Sequence, residues 1–195
     1  MHHLLPRDVS PAAALLARAF FGDPLFSHFF PDPAARLGQL EALFAFRLRN
    51  ELDNAYAPTP ALEGLALWQL PRGHKPRLNP AALPRALALA LKAGWQPLQR
   101  MIHFQRWSLA LRDTLVRDPY VYLDMLAVAP AYQRQGFARQ LLMPMLKMAD
   151  DLGVPVYVET QNRRSIDIYT HFGFAVVHHT HLPDAPVEHY CLFKR

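Results

Sequence analysis

The stretch from Leu123 to Gly153 constrains the fold most, because it joins three patterns in an order that few architectures accept. Leu123-Asp124-Met125-Leu126-Ala127-Val128-Ala129-Pro130 is apolar and closes on a proline, as a buried strand does. Ala131-Tyr132-Gln133-Arg134-Gln135-Gly136-Phe137-Ala138 follows as a short polar loop, in which Gly136 and the small Ala138 let another group approach the backbone. Phe137, Leu141, Met145, Met148 and Leu152 then recur at helical spacing. Strand, loop and helix in that order gather free backbone N–H groups and the positive end of a helix dipole at one point. Such a point suits an anion, and phosphate best. No Gly-Lys-Ser/Thr follows, so this is not a Walker loop, and a single glycine is too few for a dinucleotide fingerprint.

Gln133-x-x-Gly136-x-Ala138, preceded by Leu126-Ala127-Val128-x-Pro130, resembles the acetyl-CoA pyrophosphate loop of the GNAT acetyltransferase superfamily. Val156-Tyr157-Val158-Glu159-Thr160, then Asn162, then Ile168-Tyr169-x-x-Phe172-Gly173-Phe174 fit the same family in the same order. Within it, the puromycin N-acetyltransferase-like branch is similar in three features. These are the strand ending in Glu159-Thr160, the helix end running from Tyr169 to Gly173-Phe174, and Pro144 inside the loop-following helix. The resemblance spans roughly residues 120–195. It implies that the backbone of Leu126, Ala127 and Val128 pairs with the pantetheine arm, and that the N–H of Leu126 or Ala127 polarises the thioester carbonyl. It also implies a pyrophosphate held over Gln133, Arg134, Gln135, Gly136, Phe137, Ala138 and Arg139, with Asn162 against the CoA arm.

The expected fold is α/β: one GNAT-like domain over residues 1–195, with a mixed, mostly antiparallel central sheet flanked by helices. A chain of 195 residues, 51% apolar, suits one domain with a substantial core. Ser10-Pro11 reads as an N-cap and first turn for a helix over 12–21, stopped by Gly22. Phe20, Phe21, Phe26, Phe29 and Phe30 crowd around Asp23-Pro24, as core or as the lining of an acceptor pocket. Asp32-Pro33 starts a second helix, and in the family the first two helices flank the acceptor site. Residues 55–58 and 62–70 read as a hairpin. Residues 71–119 form a long, mostly helical insertion, with helices over 81–92 and 96–116. It either closes over the acceptor through His103, Phe104 or Trp107, or packs as extra core. The remaining expectations are a strand over 120–128, a helix over 134–152 kinked at Pro144, a buried parallel strand over 154–160, a helix over 164–172, and a final antiparallel pair over 174–181 and 187–194.

Net charge is +5, but the arginines are scattered and no five like charges run together, so solvated faces explain the balance better than nucleic acid. Arg134 in the loop is the exception. Cys191 is the only cysteine, which excludes an internal disulfide and fits a reducing compartment. No leader pattern and no run of eighteen apolar residues is present. The expectation is a cytoplasmic, non-membrane monomer or homodimer.

Acetyl transfer to an amine needs the thioester positioned, the amine deprotonated, the oxyanion stabilised and the thiolate protonated. Ser165, Ile168, Tyr169 and Phe172 share a helix face, which turns Tyr169 toward the sheet. A phenol is protonated at neutral pH and can donate to a thiolate. Its place before Gly173-Phe174 makes Tyr169 the proposed acid rather than a packed aromatic. Glu159, on a buried strand, is either the base or a brace of that strand; Asp124, His103 or a water chain are the other bases. His178, His179, His181 and His189 lack cysteine or acidic partners at ligand spacing, so no metal is expected. Cys191 reads as a small buried residue rather than a nucleophile. The expected activity is acetyl transfer from acetyl-CoA, as cosubstrate, to a small-molecule amine by direct attack in a ternary complex. Acetylation of a protein N-terminus or lysine, and a non-catalytic acyl-CoA sensor, are the alternatives.

Overall fold

The computed structural model describes residues 1–70, 83–117 and 119–195. Among the described residues seven strands form one sheet in the order β1-β2-β3-β4-β5-β7-β6. The strands are β1 (His2–His3), β2 (Ala55–Ala57), β3 (Gly64–Gln69), β4 (Val121–Val128), β5 (Val156–Thr160), β6 (Ala175–His181) and β7 (Glu188–Lys194). The β4–β5 pair is parallel and the other five pairs are antiparallel, which makes the sheet mixed and mostly antiparallel, as expected.

Helices cover both faces. On one lie α1 (Val9–Ala19), α2 (Pro24–Phe29), α3 (Pro33–Asn50), α4 (Leu83–Ala93) and α5 (Trp95–Leu115); on the other lie α6 (Phe137–Leu152) and α7 (Arg163–His171). Strand β3 shows why both faces must be covered. Leu65 and Leu67 pack toward α1 and α3, while Ala66 and Trp68 pack toward α6, and all four are fully buried.

Strand β4 departs from plain alternation. Its register with β3 shifts between Leu67 and Trp68, which pair with Met125 and Leu123, so Asp124 is an extra residue. A bulge of this kind turns the following side chains to the opposite face. Val121 and Leu123 accordingly pack on the α6 side, whereas Met125 and Ala127 pack on the α1 side.

Four local readings differ from the structure. The first helix starts at Val9, two residues before Pro11, the expected first helical position, because Asp8 accepts from the Leu5 N–H (2.9 Å) and holds a 3-10 turn over Pro6–Asp8 that runs directly into α1. Pro11 then falls in the first turn, where N–H groups have no helical partner anyway. Residues 24–29, read only as an aromatic cluster, form α2. Helix α6 starts at Phe137 rather than 134, because Arg134 (φ 63°) and Gly136 (φ 85°) are left-handed and cannot continue it. The two-residue β1 is too short to carry a pattern. Residues 71–82 and 118 of the anticipated 71–119 insertion lie outside the described residues; α4 and α5 are its described part. No helix among the described residues is long and apolar enough to cross a membrane.

Candidate functional site

Strands β4 and β5 part company at the bulge. Their pairing covers Val121–Leu123 against Val156–Val158 and then ends, although β4 continues to Val128 and β5 to Thr160. Beyond Asp124, the β5-facing edge of β4 therefore has no strand partner. A cavity of about 990 Å³ opens in this splay. Met125, Leu126, Ala127 and Val128 form one wall, Glu159, Thr160, Gln161 and Asn162 the other, and α1, α2 and α7 close the sides. An unpaired strand edge beside a cavity can take an extended ligand as an additional strand.

At one mouth stands the loop before α6. Gly136 caps that helix without a side chain, so the first-turn amides are not satisfied by a capping oxygen. A Cβ built on Gly136 would meet nothing within 4 Å, so the space above the loop is open. Gln133, Arg134, Gly136, Phe137, Ala138 and Arg139 all line the cavity, with Arg164 and His171 across from them. Gln135 does not line it; its amide donates to the Ala131 carbonyl (2.9 Å) and shapes the loop from behind. Gln133 donates to the Val128 carbonyl (3.3 Å), which ties the loop to the end of β4. Free amides, a helix N-terminus and three arginines give this mouth the chemistry to hold an anion. Asn162 caps α7, its Oδ1 accepting from the Arg164 N–H (3.1 Å), so its side chain holds a helix in place beside the cavity.

Tyr169 is buried on α7, packs edge-on against Phe174 (5.7 Å) and lines the cavity. Its hydroxyl makes no protein hydrogen bond among the described residues. Burial first, and the negative charge of Asp23 second, raise the phenol well above its ordinary value, so it is protonated throughout the neutral range.

Glu159 lies on the opposite wall, with each carboxylate oxygen holding one hydrogen bond. It accepts from Ser108 Oγ (2.6 Å) and from Arg112 Nε (3.1 Å), both on α5, and His189 Nε2 stands 3.9 Å away. The Arg112 guanidinium also lies 3.6 Å from the centroid of the Tyr122 ring. Burial lowers the His189 imidazole, and Gln161 bonds its Nδ1 (2.7 Å). This buried group ties α5 to β5 along the cavity wall. Asp124, the bulged residue, pairs with Arg47 from α3 and accepts weakly from Gln69 (3.5 Å). His103 faces solvent, away from the cavity; of the three insertion residues named from sequence, Phe104 alone lines it. Trp107 stands behind, 6.1 Å from Phe104 and 4.9 Å from His189. Cys191 is fully buried beneath the sheet, and burial pushes its thiol up to about 11, as for an inert core residue.

Sequence reasoning missed Asp23, Ser108, Arg112 and Gln161. Asp23 had a legible signal: Asp23-Pro24 repeats the N-cap and N1 pattern of Asp32-Pro33. The partners of Glu159 had none, since they lie 47 and 51 residues away.

The site is thus an extended slot that ends at a cradle suited to an anion, with a protonated phenol and a buried carboxylate beside it. A family model described as the acetyltransferase (GNAT) family matches residues 101–174. An uncharacterised N-acetyltransferase of Schizosaccharomyces pombe is 25% identical over 177 residues, covering 86% of this chain and 71% of the relative. Among solved structures, a histone acetyltransferase HPA2 and related acetyltransferase from Corynebacterium glutamicum has a TM-score of 0.69 at 21% identity, covering 99% of this chain and 93% of that one. Arylalkylamine N-acetyltransferase 2 of Aedes aegypti has a TM-score of 0.58 at 13% identity, covering 99% and 96%. The fold is that of GNAT proteins, and the family model and the curated relative are likenesses to GNAT and N-acetyltransferase sequences. That family generally uses acetyl-CoA.

Proposed function

We propose that this protein is an acetyl-CoA-dependent N-acetyltransferase acting on a small-molecule primary amine by direct attack in a ternary complex. The observation that carries this reading is the splay itself. A strand edge left open from Asp124 to Val128 leads from an uncapped helix N-terminus to a buried phenol. Bound acetyl-CoA supplies the activated acetyl group. The amides around Arg134–Ala138 hold its pyrophosphate; Leu126, Ala127 and Val128 pair with its arm, and the N–H of Leu126 or Ala127 orients the carbonyl. Tyr169 presents its hydroxyl to the leaving sulfur. Glu159, committed to Ser108 and Arg112, braces α5 against β5 and keeps that wall in place.

Protons balance without a metal or a covalent enzyme intermediate. An ammonium substrate loses two protons on becoming an amide, the sulfur gains one, and one is released. The aromatic side chains of Phe20, Phe26 and Phe104 along the cavity favour a small molecule over an extended peptide, which a protein acetyltransferase would need to admit. The kinship with the puromycin N-acetyltransferase-like branch rests on Pro144, Glu159-Thr160 and Tyr169 to Phe174, and carries no commitment to a drug substrate. A thiol-release assay with purified protein, acetyl-CoA and a panel of primary amines tests the reading. Amine-dependent release with a matching N-acetyl product is expected; tight acetyl-CoA binding with no amine-dependent release would make the protein a sensor.

A further inference from the structure

Three carboxylates line the acceptor end of the cavity, and they are not equivalent. Asp124 is paired with Arg47, and Glu159 with Arg112. Asp23 has no ion pair among the described residues. Its Oδ1 accepts from the Leu25 N–H (2.9 Å) and the Phe26 N–H (3.3 Å), two bonds that fix the carboxyl at the head of α2. Its Oδ2 has no bonded partner among the described residues. Around it the wall is apolar: Phe20 and Phe26 stand 5.3 Å apart, with Leu25 beside them and Phe104 arriving from α5. A carboxylate aimed into an aromatic cavity without a cation is incomplete, and the missing partner is a cation from outside.

We propose that Asp23 receives the ammonium group of the acceptor and takes its proton, and that the acceptor is a primary amine borne on an aromatic or aliphatic body. This rests on the acetyltransferase reading above and names its substrate class and its base. The step balances: R–NH3+ and the Asp23 carboxylate give R–NH2 and protonated Asp23. The freed lone pair forms the C–N bond as the C–S bond breaks, and Tyr169 serves the departing sulfur. Burial favours the transfer, because desolvation raises a carboxyl and lowers an ammonium toward one another. The Asp23 carboxyl is pushed up to about 6 by burial, against the lowering effect of its two backbone bonds. The charged and titratable groups around this end are Tyr169 on α7, the Arg47–Asp124 pair, the Arg112–Glu159 pair, and Arg36 on α3. Arg36 is occupied by the carbonyls of Phe21, Phe30 and Pro31 and by Ser27 Oγ. None of these supplies Asp23 with a counter-ion. An acidic amine, by contrast, would bring a second negative charge into an apolar wall already holding one.

Asp23→Asn tests this without losing the fold, since asparagine is as good an N-cap as aspartate. Phenethylamine, hexylamine and glutamate serve as acceptors, with acetyl-CoA affinity measured separately by calorimetry. Wild type is expected to acetylate the first two and not glutamate, with kcat/KM falling on the acid side of about pH 6 as Asp23 protonates. Asp23→Asn should bind acetyl-CoA as wild type does, lose that acid limb, and lose kcat/KM toward phenethylamine by about 10²–10⁴-fold. Independently of activity, the carbon-13 NMR resonance lost in Asp23→Asn should titrate in wild type near 6. A mutant that keeps the rate and the acid limb, a preference for glutamate, or an ordinary carboxylate midpoint for that resonance would each overturn the inference alone. A wild type that transfers to no amine would overturn the acetyltransferase reading, and this inference with it.

Discussion

Tyr169→Phe removes one oxygen from the cavity wall and nothing from the core. The ring stays packed on Phe174, and the hydroxyl has no protein hydrogen bond to lose among the described residues. Stability should therefore change by less than about 1 kcal/mol. Single-turnover transfer should fall by about 10²–10⁴-fold, with acetyl-CoA affinity unaltered; unchanged chemistry would dismiss Tyr169 as the proton donor. Asp23 carries a second prediction with the opposite sign for stability. Its folded-state carboxyl titrates near 6 against an ordinary 3.8, so folding takes up a proton between these values and stability falls as pH rises through that window. The ionised form costs about 1–3 kcal/mol at neutral pH. Asp23→Asn escapes that cost and should melt several degrees higher than wild type at pH 7.5, with the gain vanishing near pH 4. Equal melting curves at both pH values would contradict the buried, unpaired state of this carboxylate. The burial of Tyr169 against the sheet was legible in the sequence because a helix face is a local pattern. The bonding of Glu159 was not, because Ser108 and Arg112 reach it from a different helix across the sheet.

At the scale of elements, the site is made by two irregularities: the bulge at Asp124 and the left-handed turn before α6. The turn is the easier to perturb. Gly136 sits at φ 85°, where any Cβ is strained and a β-branched one most of all. Gly136→Val should also place its side chain in the open space above the loop, where no protein atom lies within 4 Å. Calorimetry should show acetyl-CoA affinity reduced at least a hundredfold, about 2.7 kcal/mol, which exceeds the about 1–2 kcal/mol that backbone strain would remove from stability. Wild-type affinity in a folded Gly136→Val protein would refute the phosphate-loop assignment. The sequence announced strand, loop and helix correctly but extended α6 back to 134, because side-chain periodicity does not report backbone φ. The bulge was equally hidden. Val121, Leu123, Met125 and Ala127 alternate along the sequence, yet the structure divides them between two faces. The parting of β4 from β5 follows from pairing register, which no single strand's sequence encodes.

Across the whole molecule, the sheet separates two kinds of work. Helices α6 and α7 bring the anion cradle and Tyr169, while α1, α2, α3 and α5 bring Asp23, the aromatic wall and the braces on Asp124 and Glu159. The elements of the half proposed to hold acetyl-CoA were readable because they lie in order between 123 and 174. The acceptor half was not, because it is assembled from residues 19–26, 47, 104 and 159–161. Its basic net charge of +5 includes the arginines of the cradle, consistent with an anionic ligand at that mouth. The proposed transfer across this divided cavity is direct, with no acetyl group lodged on the protein, and rapid-quench single turnover with carbon-14 acetyl-CoA and phenethylamine tests it. Label should pass to N-acetylphenethylamine in step with thiol appearance, and precipitated protein should stay unlabelled at every time point. Acetylated protein that forms before the amide and decays into it, on Cys191 or any other residue, would contradict the account.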